Sequence, residues 1–416
     1  MALVWMDLRI CGSTLRWMRR VYHRSGMPRE HLLNADFDLS LRPRWRWPEG
    51  ETARRRITDL AWHALFLAEP GDSVVVPEET PEDFAEYLLG VGIEPPSITV
   101  EPARRTTQTL SPFGWNAEAI HRNLEHNAPA AHPGLDTVVR VNGRRYSARL
   151  EQELFGGGHV VAIADDEAEL RGCLEWLPSD SNGWVIKAEH GNAGLGNRRL
   201  RNQRLEEADL KVARRLFDED DCVLLERWRP RTRDLCATFE VGSSGGTSRI
   251  GLHETVNTAD GALIGTLFES DPQSLDPWRT DLTEAATNVA EKLASEGYFG
   301  PVCMDAFVWD DDGRHRLRPL VDLNCRRSMS DGAFLLWRRL APERALYYRF
   351  FNRRKLRLPA DQPEALDALG SDRYDRDRRR GILLASPLRL GSGDDAWRPG
   401  KLAVILVADD RSGVFE

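Results

Sequence analysis

The stretch PVCMDAFVWDDDGRHRLRPLVDLNCR, residues 301–326, decides the fold prediction. Its two apolar runs flank the turn sequence DDDG, a pattern typical of two antiparallel strands joined as a β-hairpin. Asp305 stands in the first strand between Met304 and Ala306, where a carboxylate is seldom found unless it is paired or binds a metal. The hairpin is therefore predicted to carry part of a functional site.

The second strand of this hairpin supplies further polar groups. Asp322 and Asn324 alternate with Val321 and Leu323, so both polar side chains are expected on one face of the sheet. Two carboxylates and an amide oxygen suit Mg²⁺, which completes its shell with water and phosphates. Arg326 continues the alternation and adds a cation to that face. The alternative is a set of solvent-facing polar residues, which suits the turn acids better. These are Asp310, Asp311 and Asp312.

A glycine-rich segment lies upstream, in WVIKAEHGNAGLGNRRL, residues 184–200. A buried-type strand ends in Lys187, and Gly191, Gly194 and Gly196 follow before a second strand. Glycines let backbone N–H groups approach a phosphate closely, and a lysine beside them neutralises its charge. A plain hairpin with a glycine turn is the alternative. Because only five of the 57 basic residues are lysine, the position of Lys187 favours a phosphate-binding function.

The composition is that of an ordinary soluble protein. The 416 residues include 57 basic and 65 acidic side chains, which gives a formal net charge of −8. This balance lacks the basic character of a nucleic-acid-binding protein. No window approaches the ~18 uninterrupted apolar residues of a membrane span. The start, MALVWMDLRI, predicts an opening strand and not a signal peptide.

The six cysteines are scattered along the chain without a CxxC pair. Four of them lie in apolar strand-like runs, where a thiol packs as a small hydrophobic group. This spacing predicts neither a zinc site nor disulfides, and it favours the reduced cytoplasm. The cysteines are Cys11, Cys173, Cys222, Cys236, Cys303 and Cys325.

The pattern of apolar runs changes along the chain. Residues 1–100 alternate short apolar runs with helical stretches, which predicts an α/β unit with a parallel sheet. From Trp184 onward strands dominate, with one long helix in DLTEAATNVAEKLASEG, residues 281–297. Helices are predicted around Phe334 to Phe351. Two strands, GILLA and KLAVILV, are predicted near the end.

The order of these features resembles the ATP-grasp superfamily of the carboxylate–amine ligase type. In that family a phosphate-binding cation comes first, then a second cation before a flexible glycine loop, an acidic hinge, and a final D…(E/D)-x-N-x-R arrangement. In this sequence the first cation is Arg144 or Arg145 in VNGRRYS, the second is Lys187, and the hinge acid is Glu226 in CVLLERW. The 301–326 hairpin supplies the last arrangement.

The resemblance implies an α/β and α+β architecture, the ATP-grasp fold, in three parts. A pre-ATP-grasp α/β domain would occupy residues 1–115, and the central and lid subdomain residues 116–228. The C-terminal ATP-binding subdomain would occupy residues 229–416, including an extra C-terminal segment that no motif covers.

The resemblance also implies a site for ATP and Mg²⁺, with Mn²⁺ as an alternative metal. Glu226 to Arg229 would cradle adenine, and Asp234 would bind the ribose hydroxyls. The nucleotide-binding residues implied are Arg144, Lys187, His190, Gly191, Gly194, Gly196, Glu226, Arg227, Trp228 and Asp234. The implied metal ligands are Asp305, Asp322 and Asn324, and the implied catalytic residues are Lys187 and Arg326.

Three positions depart from the family pattern. Arg144 stands where lysine is usual, although arginine can still clamp a phosphate. Asp322 stands where glutamate is frequent. Cys303 stands where some amino-acid ligases carry an arginine.

Two further residues, Arg249 and His253, are candidates for substrate binding, because alternation places them on one face of the strand SRIGLHETVN. The alternative for Arg249 is a surface salt bridge, and the alternative for His253 is a structural role.

The predicted function is therefore that of an ATP-dependent ligase that joins a small-molecule carboxylate to an amine through an acylphosphate. The expected substrate is an amino acid or a peptide. A cytoplasmic protein without nucleic-acid or membrane partners is expected, and a homodimer is compatible with the resemblance. The alternatives are a kinase- or carboxylase-type reaction on the same fold, and a nucleotide-binding protein without turnover.

Overall fold

The computed structural model describes residues 27–46, 55, 58–76, 81–100, 106–157, 159–177, 180, 182–191, 197–200, 205–258, 261–269, 275–359, 361–391 and 396–415. They form three β-sheets with helices packed against them. The predicted opening strand, Cys11, Gly194 and Gly196 lie outside these ranges. Within them, no helix combines the length and the apolar character needed to cross a membrane.

The first sheet has four short parallel strands in the order β3-β2-β1-β4. They are β1 (Arg29–Leu32), β2 (Ser73–Val75), β3 (Ser97–Thr99) and β4 (Thr109–Pro112). Helix α1 (Phe37–Ser40) follows β1, and α2 (Glu82–Gly90) connects β2 to β3. Parallel neighbours require such crossover connections, so the α/β prediction for this part is confirmed.

Three helices lead from the first sheet to the second: α3 (Ala117–Asn123), α4 (Leu135–Val141) and α5 (Arg144–Phe155). The second sheet is antiparallel, in the order β5-β8-β6-β7. Its strands are β5 (Val160–Ala164), β6 (Trp184–Ala188), β7 (Arg198–Leu200) and β8 (Val223–Arg227). The predicted pairing of β6 with β7 is thereby confirmed.

Helices α6 (Glu167–Trp176) and α7 (Glu207–Glu219) cover one face of the second sheet. Their apolar residues share a core with Trp184, Ile186 and Leu225 of the strands. Asp166 caps α6, because its side chain accepts a hydrogen bond from the backbone N–H of Glu169 at 2.8 Å. This sheet therefore has a hydrophobic core of its own.

The third sheet has eight strands in the order β13-β12-β9-β10-β11-β14-β16-β15, and every pairing is antiparallel. The strands are β9 (Arg231–Val241), β10 (Thr247–Asn257), β11 (Leu263–Phe268), β12 (Gly300–Asp311), β13 (Arg314–Asn324), β14 (Ala345–Asn352), β15 (Gly381–Leu384) and β16 (Lys401–Ala408). Helix α8 (Asp276–Ser295) is the predicted long helix, and it packs on β9, β10 and β13.

The prediction of helices from Phe334 to Phe351 is wrong in its second half. Helix α9 (Met329–Leu340) is present, but residues 345–352 form β14. Tyr347 and Tyr348 are both buried although they point to opposite faces of the sheet. A strand buried on both faces is a continuous apolar run, which periodicity does not distinguish from a buried helix.

The last part of the chain joins the first. Helices α10 (Arg353–Leu356) and α11 (Gln362–Leu369) follow β14, and the predicted strands GILLA and KLAVILV are β15 and β16. Leu383 and Ile405 from these strands belong to the same buried cluster as Phe37, Trp62 and Phe84 from the N-terminal part. The three sheets lie within residues 29–112, 160–227 and 231–408; the domain boundaries stay a prediction.

Candidate active-site cleft

The hairpin of β12 and β13 brings the predicted metal ligands together. Asp305 and Asp322 are direct partners across the two strands, which places their side chains next to each other. The Nδ2 of Asn324 donates a hydrogen bond to Oδ2 of Asp305 at 3.1 Å. The sequence-based inference that these groups share a face is thus matched by their contacts.

A cavity of about 200 Å³ opens over these residues. Its lining combines α5, β6, β9 and the hairpin, together with residues of the N-terminal part such as Asp38 and Phe113. Eight of the predicted site residues line it: Arg144, Lys187, Gly191, Asp234, Asp305, Asp322, Asn324 and Arg326. From Arg144 to Arg326 these eight residues span 182 positions of the sequence, and the fold gathers them into one cleft.

Arg144 is the buried one of the two candidate first cations. It is the first residue of α5, and its guanidinium binds Asp322 Oδ2 at 2.9 Å and the Ala188 carbonyl at 2.7 Å. A Cβ at Gly191 would collide with this guanidinium, so glycine is required there. Arg145 instead is half exposed and pairs with Glu189 at 3.3 Å. The geometry favours Arg144 as the cation of the cleft.

Lys187 belongs to a buried chain of ion pairs. Its Nζ lies 2.7 Å from Glu226, whose other oxygen accepts from Arg318. Arg318 also binds both oxygens of Glu151 at 2.7 Å. Burial lowers the pKa of Lys187, and the neighbouring arginines act in the same direction against the attraction of Glu226. Lys187 is thus held at the cleft wall by Glu226, the carboxylate for which the resemblance implies a place beside adenine.

Arg326 is fixed by a residue that the sequence did not point to. Asp38 of α1 accepts two hydrogen bonds from its guanidinium, at 2.7 and 2.8 Å, and Asn324 Oδ1 accepts a third at 3.0 Å. The guanidinium also lies over the ring of Phe113, 4.7 Å from its centroid. The N-terminal part of the chain therefore orients the predicted catalytic arginine.

The acid pair fits a divalent cation. Burial, and after it the charge of Asp322, raises the pKa of Asp305 to about 7. Two adjacent carboxylates in a buried place repel each other unless a cation lies between them. Their donor set, two carboxylates and the amide of Asn324, consists of the hard oxygen ligands that Mg²⁺ takes. These residues are suited to hold the metal that the resemblance implies.

We expect the apparent affinity for Mg²⁺ to weaken by about tenfold per pH unit below the pKa of Asp305, because a proton then competes with the metal. For the metal-free protein the sign is opposite: a raised carboxyl pKa means that stability falls as the pH rises from 3.8 to about 7. Calorimetric Mg²⁺ titrations at several pH values test the first expectation. An affinity that is unchanged across this range would contradict it.

Of the predicted site residues whose side chains the structure describes, five do not line the cavity. They are His190, Glu226, Arg227, Trp228 and His253. The His190 ring lies between Asp220 Oδ1 at 3.1 Å and the Val139 carbonyl at 3.2 Å. Burial lowers the pKa of His253 to about 3, and its ring is tilted by 37° against that of Phe268 at a centroid distance of 5.2 Å. His190 therefore has hydrogen-bond partners, whereas the buried Nε2 of His253 has none among the described residues.

Arg249 belongs to β10, but its side chain lies outside the described part of the structure. The register of β10 against β9 shifts between Ser248 and Gly251. Such a bulge interrupts the alternation of side chains between the two faces of a sheet. Spacing along β10 alone therefore assigns no face to Arg249, and its role in substrate binding stays a prediction.

The hinge segment carries a stack of rings and guanidinium groups. Trp228 lies between Arg199, 4.5 Å from its ring centroid, and Arg231, at 5.7 Å. Arg231 also lies 4.6 Å over Phe307 and pairs with Asp234 at 2.9 Å. Arg231, which sequence reasoning missed, therefore connects the predicted adenine segment to the predicted ribose ligand. Its signal was its place three residues before Asp234.

Models of known protein families give no match to this chain, and a search of curated proteins gives none either. Solved structures do match it along nearly its whole length. The ADP complex of an N5-carboxyaminoimidazole ribonucleotide synthetase is 14% identical, with 94% of each chain covered and a TM-score of 0.51. Phosphoribosylamine–glycine ligase from Thermotoga maritima is 12% identical, with 93% of this chain and 95% of that one covered and a TM-score of 0.53.

The chain has the ATP-grasp fold. A third similar structure, the biotin carboxylase domain of the Hydrogenobacter thermophilus 2-oxoglutarate carboxylase, is 11% identical, with 92% of this chain and 87% of that one covered and a TM-score of 0.51. The predicted ATP-grasp architecture is thereby confirmed. At these identities the likeness establishes the fold, and the chemistry has to be argued from the cleft.

Proposed function

We propose that this ATP-grasp protein is a Mg²⁺- and ATP-dependent ligase that joins a small-molecule carboxylate to an amine. The observation that carries the proposal is the cleft itself, where Asp305 and Asp322 face each other beside Lys187, Arg144 and Arg326. Cations and metal-binding acids in one cavity are what phosphoryl transfer requires, because it depends on positioning and charge neutralisation.

Each group has a proposed part. Asp305, Asp322 and Asn324 would hold Mg²⁺, which neutralises phosphate charge when it is bound. Lys187 and Arg144, which line the same cavity, would bind the phosphates of ATP beside this metal site. The Trp228 segment would pack on the adenine. The ion pairs of Lys187 with Glu226, and of Arg144 with Asp322, would hold both cations at the cleft before ATP enters.

The proposed reaction has two steps. An oxygen of the substrate carboxylate attacks the γ-phosphorus, the bond to ADP breaks, and an acylphosphate forms. The amine nitrogen then attacks the carbonyl carbon, phosphate leaves, and the nitrogen loses a proton. Arg326, oriented by Asp38, stabilises the negative charge that develops on the oxygens in both steps. The protein itself provides no covalent nucleophile in this scheme.

Replacing Lys187 with methionine is expected to weaken ATP binding by about 10- to 100-fold, since a hydrogen bond to a charged group contributes ~1.5–3 kcal/mol. The matched control is Lys211→Met, because Lys211 is exposed on α7. Calorimetric titration with ATP and Mg²⁺ measures both variants. Equal affinities for ATP in the two variants would remove Lys187 from the phosphate site.

ADP release from the purified protein tests the function. ATP and Mg²⁺ are supplied with pools of carboxylates, including bicarbonate, with and without amines. ADP that requires both a carboxylate and an amine supports the ligase. ADP that requires one substrate alone supports a kinase- or carboxylase-type reaction instead. ATP binding without ADP release would overturn the ligase in favour of a protein without turnover.

A further inference from the structure

Two cysteines meet beside Asp305. Cys236 on β9 and Cys303 on β12 are buried, and their Sγ atoms lie 3.0 Å apart. The Cys303 Sγ lies 3.9 Å from Oδ1 of Asp305. One ligand atom from each of the three residues lies within 4.8 Å of the others. All three residues line the cleft cavity, so a bound ion would be reached from the cleft.

The spacing suits a metal ion with small side-chain adjustment. Tetrahedral zinc with bonds of about 2.3 Å holds two sulfurs about 3.8 Å apart, somewhat wider than the two thiols here. Two thiolates and a carboxylate are three ligands, and the cavity offers room for a fourth, such as water. Softer cations of the zinc class prefer sulfur, whereas Mg²⁺ prefers oxygen. The cluster therefore selects a different metal from the acid pair next to it.

The strand register argues against a disulfide between the same cysteines. Cys236 pairs with Asp305 across the strands, and Cys303 pairs with Thr238. The two cysteines are thus diagonal neighbours, a relation that places Cα atoms about 7–8 Å apart. Disulfides usually require about 4.4–6.8 Å between Cα atoms. A bridging ion spans this diagonal more easily than a bond between the sulfurs.

The surroundings offset the charge of a thiolate site. Burial disfavours the charged form of Arg326, but Asp38, and after it Cys303 and Asp305, raise its pKa. The guanidinium therefore stays positive beside the sulfurs. The hydrogen bond with Cys303, and after it burial, raises the pKa of Cys236, but a bound zinc-class ion deprotonates its coordinating thiols outright.

We propose that Cys236, Cys303 and Asp305 form a binding site for a thiophilic divalent cation of the zinc class. Binding forms two metal–sulfur bonds and one metal–oxygen bond; each thiol releases one proton to solvent, and Asp305, where it is protonated, releases its proton as well. Because Asp305 is shared, the ion excludes Mg²⁺ from the adjacent acid pair. This last consequence rests on the proposed function, whereas the site itself does not.

Cadmium titration of the reduced, metal-free full chain without nucleotide tests the site. We expect the ultraviolet charge-transfer band of cadmium–thiolate bonds to saturate at one equivalent, with at least two protons released per ion, one from each thiol. Cys236→Ser and Cys303→Ser are each expected to lose most of this band. Cys173→Ser, a change at a cysteine on α6, is the matched control and should keep it. Circular dichroism checks that each variant is folded. Alanine replacements of the same two cysteines provide a second set of variants.

The outcomes separate the two proposals. A full band in either Cys236→Ser or Cys303→Ser, or no band in the unaltered chain, would overturn the metal site. If ADP formation is found, the Zn²⁺ concentration that halves it should be at least tenfold lower for the unaltered enzyme than for Cys236→Ser at the same Mg²⁺ concentration. Equal inhibition of the two proteins by Zn²⁺ would overturn the proposal that the ion competes with Mg²⁺ for Asp305. Failure to find any ADP leaves the cadmium titration decisive, because that titration uses no ATP.

Discussion

Replacing Asp305 with asparagine is expected to lower Mg²⁺-dependent ADP formation by about 100- to 1000-fold, because metal stabilisation of developing charge is worth several kcal/mol. The substitution keeps the shape of the side chain and an oxygen for Asn324 but removes the charge that binds the metal. Steady-state ADP release at saturating ATP, repeated over a range of Mg²⁺ concentrations, measures the loss.

The folded state should tolerate this substitution. Burial and Asp322 disfavour the ionised form of Asp305, as its raised pKa indicates, so a neutral amide removes a repulsion and should not lower stability. The matched control is Asp312→Asn in the exposed turn of the same hairpin. Asp312 has a φ of 54°, a conformation that asparagine also adopts. A loss of less than tenfold in Asp305→Asn would remove Asp305 from the metal site.

Replacing Arg318 with alanine is expected to lower the free energy of unfolding by about 3–5 kcal/mol, the usual cost of removing one partner from a buried ion pair. Arg318 is enclosed between Glu226 and Glu151. Without Arg318, these two buried carboxylates would have only Lys187 left as a cation in this chain of ion pairs. Urea denaturation followed by tryptophan fluorescence measures the change.

Arg316→Ala is the control for this stability change. Arg316 lies two residues earlier on β13, and 56% of its side chain is exposed where it pairs with Asp311. Exposed pairs of this kind contribute about 0–1 kcal/mol. If the two alanine variants unfold at similar urea concentrations, the buried chain of ion pairs does not stabilise the fold as described.

The hairpin was predictable because its chemistry is local. An acid inside an apolar strand run, followed by alternating polar residues on the next strand, identifies Asp305, Asp322, Asn324 and Arg326 without knowledge of distant contacts. The ATP-grasp fold was expected from a resemblance, which rested on the order of such motifs along the chain. The turn acids were likewise distinguished from the site acids by their place in a DDDG turn.

The missed groups depend on contacts between distant parts of the chain. Asp38 reaches Arg326 across 288 positions, and Arg318 reaches Glu151 across 167. Cys236 meets Cys303 through the pairing of β9 with β12, so the spacing of cysteines along the chain contained no sign of a cluster. Strand order in an antiparallel sheet is decided by tertiary packing, which a single sequence does not display.

The same limit explains β14. Its aromatic residues are typical of strands, but their burial on both faces depends on β11 and β16 lying on either side. Those neighbours come from segments before and after it in the chain. When the order of the strands is unknown, an apolar run that follows a helix is most simply predicted to be helical too.

The shared core of the chain's two ends has a consequence for how the protein unfolds. Phe37 and Trp62 lie in the same apolar cluster as Leu383 and Ile405, whereas the second sheet is built on a separate cluster. Groups that share a core lose their packing together. The N-terminal and C-terminal segments should therefore melt as one cooperative unit and exchange their amide hydrogens together, while the second sheet opens at its own rate.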